Sequence, residues 1–182
     1  VPFLQTLVSI TGSGKTLILA DAIAQIRDAL PIQPIVLWVS KGRIVVSQAY
    51  ANLSSGKYAD NLPGFNVKPL LQLAPSDIED QVVPLMLVAT VAKFAVEDSD
   101  GGERKVFEAQ LDLASDSLWN LLTKRRTNVG RRRPLIIVYD EGHNLSDLQT
   151  RRLLELAPDA LISASATMAL PARLENTIAR LR

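Results

Sequence analysis

The sequence predicts a doubly wound α/β domain, a mainly parallel sheet with helices on both faces. Three observations predict it. Short apolar runs alternate along the chain with segments of helical periodicity, the order that strand–helix–strand units require. The run at residues 135–139, Leu-Ile-Ile-Val-Tyr, is apolar almost throughout, as a central parallel strand covered on both faces must be. The first apolar run also passes through a glycine-containing loop directly into a helical segment.

In chain order, residues 4–10 read as a strand and residues 16–30 as a helix, with Leu17, Ala20, Ile23, Ala24 and Ala29 roughly on one face. Pro31 and Pro34 bracket a break. Residues 35–39 form a strand in which Trp38 is expected to be buried, residues 42–53 a helix, and residues 67–73 a further strand. Pro84 introduces a strand at 85–89. Residues 97–133 look like an insertion that opens on the turn Asp100-Gly101-Gly102. An amphipathic helix follows, carrying Phe107, Leu111, Ala114, Leu118 and Leu122, then a basic run from Lys124 to Arg133. After the strand at 135–139 come a helix over 146–156, a strand at 160–164 and a last helix over 171–181. No internal repeat or low-complexity tract is visible.

The composition narrows the function. With 182 residues and 47% hydrophobic content the chain can bury one sizeable core. Lys and Arg number 20 against 19 Asp and Glu, so bulk charge does not hold a polyanion, and any nucleic-acid contact rests on locally placed basic groups. Absence of cysteine excludes disulfides, thiolate metal sites and a cysteine nucleophile, and fits a reducing cytoplasm. No segment reads as transmembrane, so no membrane partner is expected. The opening Val1-Pro2-Phe3-Leu4 lacks an initiator methionine and the features of a signal peptide, and is expected to be a fragment boundary.

Two motifs carry chemistry. Thr11-Gly12-Ser13-Gly14-Lys15-Thr16 follows a strand and opens a helix, the context that makes such a loop a phosphate cradle. Its glycines let backbone N–H groups converge on phosphate oxygens, and the helix N-terminus adds its dipole. Lys15 is expected to reach the β- and γ-phosphates of ATP, and the Thr16 hydroxyl to ligate Mg²⁺. Ser9 stands where the strict pattern has its first glycine.

The second motif, Asp140-Glu141-Gly142-His143, sits at the carboxyl end of the 135–139 strand, where open α/β sheets bind ligands. Asp140 is expected to hold Mg²⁺, directly or through a bound water, and Glu141 to act as general base on the attacking water. His143, the one histidine, is placed to sense the γ-phosphate side of the site. With no second His or Cys to join it, it is not expected to ligate metal.

Together with Ser165-Ala166-Thr167, these motifs resemble those of superfamily 2 helicases of the DEAD/DEAH-box type. The nearest resemblance is to the motor subunit of type III restriction enzymes, through Thr90-Val91-Ala92-Lys93-Phe94 and the stretch from Trp38 to Gln48. The resemblance implies that residues 1–182 form the first of two RecA-like motor domains. TGSGKT would be the Walker A motif and DEGH the Walker B motif. His143, Ser165 and Thr167 would couple hydrolysis to movement. It further implies ATP and Mg²⁺ as cofactors, and DNA as the track, with RNA as the alternative. As partners it implies a second RecA-like domain that supplies a transition-state arginine, and a nuclease domain or modification subunit. Neither a second motor domain nor a nuclease motif is visible in this sequence, and no adenine-reading glutamine motif precedes the loop. Gly142 stands where alanine is usual.

Lys41 and Arg43 follow one strand end, Thr90 and Lys93 another, and Ser47 and Gln48 lie one helical turn further on; all could bind phosphates of a single strand. The runs Lys124-Arg125-Arg126 and Arg131-Arg132-Arg133 read as a solvated basic loop, or as a secondary duplex or partner surface, the second run lying at the amino end of the 135–139 strand, opposite the ATP site. The expected function is ATP hydrolysis coupled to translocation on nucleic acid. Two alternatives stay open: a P-loop ATPase of another branch, such as an AAA-type remodeller acting on protein, and a non-catalytic nucleotide- or nucleic-acid-binding remnant.

Overall fold

The computed structural model describes residues 3–10, 13–94, 106–107, 109, 113, 116–140 and 145–166. The apolar runs become the strands β1 (Phe3–Val8), β2 (Ile35–Ser40), β3 (Asn66–Pro69), β4 (Leu85–Thr90), β5 (Leu135–Asp140) and β6 (Ala160–Ser165). All the pairings are parallel, in the order β1-β6-β5-β2-β4-β3. The most uniformly apolar strands, β2 and β4, are buried at every position, and β5 at all but its last; β1 at one edge alternates between exposed and half-buried residues. This is the distribution that a sheet covered on both faces requires.

Alternation along each strand divides the core in two. Val36, Trp38, Met86, Val88, Ile136 and Val138 face helices α1 (Lys15–Asp28) and α2 (Arg43–Ser54), which contribute Leu19, Ile23 and Leu53. The intervening residues Ile35, Leu37, Leu85, Leu87, Leu135 and Ile137 face α3 (Pro75–Glu79), α4 (Leu118–Lys124) and α5 (Asp147–Glu155), through Ile78, Leu122 and Leu153. Each such side chain contributes about 1.5–3 kcal/mol on full burial. Helices on both faces of a parallel sheet make the fold the doubly wound α/β class that the sequence predicts, and Trp38 is wholly buried.

Three expectations need correction. The strand expected at 67–73 ends at Pro69, which has no N–H to extend a ladder; the chain turns there into a short 3₁₀ helix, Leu70–Gln72, and buries Leu70 and Leu73. The amphipathic helix expected from Phe107 to Leu122 is not continuous. Ser117 is extended, and its hydroxyl accepts from the Asn120 amide to cap a helix that begins only at Leu118. Val106, Leu113, Leu118 and Leu122 still join one core, because a bent path can satisfy the same apolar spacing.

The third correction concerns the basic run. Arg125 and Arg133 are fully buried. Residues 125–133 turn back on themselves through Gly130, with Arg126 bridging Arg132 and the Arg133 amide donating to the Arg125 carbonyl. The Arg133 guanidinium donates to the carbonyls of Gln33, Pro34, Asp77, Ile78 and Val83 at 2.6–3.4 Å. Arg125 donates to those of Leu122, Arg133, Leu156 and Ala157 and faces Asp159 at 3.6 Å. The planar fork with five donors suits a cluster of carbonyls as an ammonium does not. Burial pushes both side chains down to about 10, so each still carries its charge at neutral pH. Arg126, Arg131 and Arg132 are exposed, as a basic loop should be. The turn expected at 100–102 and the helix expected over 171–181 lie outside the described residues.

Candidate active site

β1 delivers the chain to the expected phosphate loop at the carboxyl edge of the sheet. Ser9 and Ile10 continue from it, and the Ser9 amide donates to the Ser165 carbonyl at 3.1 Å, so the loop leaves the sheet alongside the end of β6. Gly14 adopts φ 81° and ψ 23°, the left-handed region, immediately before α1 begins at Lys15. A residue with a Cβ is strained there, which is the local reason that glycine opens this helix. The Lys15 ammonium is buried beneath the loop and donates to the Ser9 and Ile10 carbonyls at 3.0 and 3.1 Å. The Ser9 hydroxyl donates to the Ser13 hydroxyl at 2.7 Å. Lys15 is thus held by backbone carbonyls that phosphate oxygens can replace.

Thr16, in the first turn of α1, donates its hydroxyl to Asp140 Oδ2 at 3.4 Å across 124 residues of sequence. The fold therefore brings the predicted metal-binding pair together. Both are hard oxygen donors, and octahedral Mg²⁺ with ligands at about 2.1 Å holds neighbouring oxygens about 3 Å apart, so the pair fits this ion with small adjustment. Ser165 ends β6, paired with Val8 of β1 at the root of the loop. Thr11, Gly12, Glu141, Gly142, His143 and Thr167 lie outside the described residues.

The residues predicted to touch nucleic acid divide. A cavity of about 400 Å³ beside α2 and the end of β4 is lined by Arg43, Ser47, Thr90 and Lys93, over a floor that includes Val46, Leu70 and Val88. Lys41 and Gln48 are exposed and take no part in that lining. Gly42, at φ 92° and ψ 140°, sets the entry of α2, in a region open to glycine alone. The cavity and the Thr16–Asp140 pair share one edge of the sheet. Thr90, Ser40 and Asp140 end three adjacent strands, β4, β2 and β5, at about 4.8 Å per step.

Ser40 is a residue that sequence reasoning missed. Its signal was present, as the one polar residue closing the apolar run Ile-Val-Leu-Trp-Val-Ser. The carbonyl-binding roles of Arg125 and Arg133 had no such signal, because six basic residues within ten positions look alike until their surroundings are known.

Among the described residues no helix is long and apolar enough to cross a membrane. No curated protein matches the chain. A protein-family model described as type III restriction enzyme, res subunit, matches residues 4–170, a span that includes both motifs, the cavity and every strand but for the first residue of β1. The parallel sheet, the phosphate loop that leads into α1 and the Thr16–Asp140 pair agree with that match: the chain belongs to the type III restriction enzyme res-subunit family and is a helicase-type ATPase motor domain with a RecA-like fold.

Proposed function

We propose that this domain binds Mg²⁺-ATP at the Gly14–Lys15–Thr16 turn and hydrolyses it to drive translocation along DNA. The observation that supports the reading is the Thr16–Asp140 contact beside a buried Lys15, an ammonium and two hard oxygens close together at the sheet edge. Lys15 would exchange its Ser9 and Ile10 carbonyl partners for β- and γ-phosphate oxygens, with Thr11, Gly12, Ser13 and Gly14 lending backbone N–H groups. Thr16 and Asp140 would hold Mg²⁺, which when bound supplies charge neutralisation between the β- and γ-phosphates. Glu141, next in sequence to Asp140, would take the proton of the attacking water. His143, Ser165 and Thr167 would transmit the state of the γ-phosphate to the nucleic-acid side.

A single strand would run over the cavity, with its phosphates against Arg43, Thr90 and Lys93 and with Lys41 and Gln48 at the exposed rim. Full turnover would need a second RecA-like domain for the transition-state arginine. A nuclease domain or modification subunit would complete a restriction role in the cytoplasm.

ATP turnover measured with and without single- and double-stranded DNA and RNA tests this reading. Stimulation by DNA is expected, Lys15→Ala should abolish nucleotide binding or turnover, and Glu141→Gln should bind nucleotide without turning it over. Absence of stimulation by any nucleic acid would refute the motor reading and favour a P-loop ATPase that acts on protein. Wild-type turnover in the Gln variant would remove Glu141 as the base.

A further inference from the structure

Ser40 ends β2 with its side chain wholly buried and its hydroxyl without a hydrogen-bond partner among the described residues. A buried hydroxyl in that state is disfavoured, and native structures hold few of them. A rearrangement that brought it a partner would remove that cost.

Its place in the sheet names that partner. Ser40 continues the row Val36, Trp38 on the face covered by α1 and α2, and Asp140 continues the row Ile136, Val138 on the same face. The two strands pair through Val39 and Tyr139, so Ser40 and Asp140 are neighbours one residue further on. Adjacent strands lie about 4.8 Å apart, and a turn about the single χ1 of serine brings its oxygen within hydrogen-bond reach of the neighbouring carboxylate. Thr16 now donates its proton to that carboxylate at 3.4 Å. A carboxylate offers about four acceptor sites, so Asp140 can accept from Ser40 beside Thr16.

We propose that Ser40 is a positioning residue for the metal-binding carboxylate: its hydroxyl donates to Asp140 and fixes the carboxylate orientation when Mg²⁺-nucleotide is bound. The proposal rests on the assignment of Thr16 and Asp140 to Mg²⁺. Groups that orient metal ligands in this way typically change metal affinity by about 10–100-fold when removed.

The test is a Mg²⁺ titration of the protein with a non-hydrolysable ATP analogue labelled on the ribose. Fluorescence is read for wild type, Ser40→Ala and Ser40→Cys, alongside affinity for the same analogue in EDTA and thermal melts. Ser40→Ala should need about tenfold more Mg²⁺ or beyond, with unchanged affinity in EDTA and a melting temperature no lower than that of wild type, because the hydroxyl removed has no partner to lose. Ser40→Cys, a weaker donor of similar shape, should fall between. An alanine variant that titrates like wild type overturns the proposal, as does one that melts early or loses EDTA affinity to the same degree, since the hydroxyl would then be structural. A wild-type protein without Mg²⁺-dependent binding would sink the metal site itself, and the role of Ser40 with it.

Discussion

Replacing Arg133 with alanine should remove a large part of the stability of the domain without touching its chemistry. The guanidinium is fully buried and uses all five N–H groups on carbonyls that precede β2, precede β4 and close α3. Net values for hydrogen bonds to a charged group, about 1.5–3 kcal/mol each, would sum to far too much, because they are not additive and removing a buried charge recovers its desolvation. The relevant scale is the penalty for leaving such a cluster without its partner, about 3–5 kcal/mol. Pro34 keeps its bond from the Leu85 amide, which argues for the lower half of that range. Against a total of about 5–15 kcal/mol, a loss near 4 is severe. With a urea slope of about 2 kcal/mol per molar, the unfolding midpoint should fall by about 2 M. Arg133→Lys should recover part of the loss, since an ammonium offers three donors in place of five. Arg126→Ala, at an exposed neighbour whose guanidinium donates to the Gly130 carbonyl, is the control and should barely move the midpoint. If Arg133→Ala unfolds with the control, the carbonyl cluster does not need its guanidinium and the assignment of the buried pair is wrong.

Gly14→Ala should strain the loop through its φ of 81° alone, since no atom lies within 4 Å of the added Cβ; a loss of about 1–3 kcal/mol, shared between folding and nucleotide affinity, would show in melts with and without ADP. The double variant Arg43→Ala/Lys93→Ala should weaken DNA binding and lower the slope of log affinity against log salt by about 1.4–1.8, at about 0.7–0.9 for each phosphate no longer neutralised; an unchanged slope would move the track off the cavity. Asp116 is held below its ordinary 3.8 by its hydrogen bond from Lys124, and then by Asn120 and the Ser117 amide. Its folded value is below its unfolded one, so its stabilising contribution is complete above the unfolded value and is lost as pH falls through the folded one. Asp116→Asn should therefore flatten the acid limb of a stability–pH curve below about pH 4 and leave the fall due to Asp80, held down by the Val82 and Val83 amides, in place.

The strands were legible because burial on both faces leaves little choice of composition: Ile35–Ser40, Leu85–Thr90 and Leu135–Asp140 are apolar wherever the sheet is covered. The adjacency of Thr16 and Asp140 followed from the rule that such loops gather at the carboxyl ends of parallel strands, which needs no knowledge of strand order. What failed was local. Apolar content in residues 67–73 suggested a longer strand, yet the missing N–H of Pro69 outweighed it at an edge where little else held the ladder. Spacing alone could not see the break at Ser117, since a polar residue is equally at home on a helix surface and at its cap. Of the predicted nucleic-acid contacts, Arg43, Thr90 and Lys93 meet at one cavity because strand β2 neighbours β4, a fact of topology that no single segment contains.

The two ends of the sheet carry different buried polar groups, and left-handed backbone occurs at both, at Arg125 and Ala157 as at Gly14 and Gly42. At the amino end the two buried arginines are richly bonded: their guanidinium groups donate to backbone carbonyls and tie the connections before β2, β4 and β6 to one another. At the carboxyl end Gly14 and Gly42 take the positive φ that glycine tolerates, and Ser40 buries a hydroxyl that has no partner among the described residues. The unpaired Ser40 hydroxyl costs stability, on the order of 1–3 kcal/mol. The strands between are six residues long, about 20 Å, and packed on both faces. A far end tied by those bonds lets the near end hold such a group without loosening the sheet. The proposed rearrangement of Lys15, Thr16 and Ser40 would then be confined to the edge proposed for nucleotide and nucleic acid.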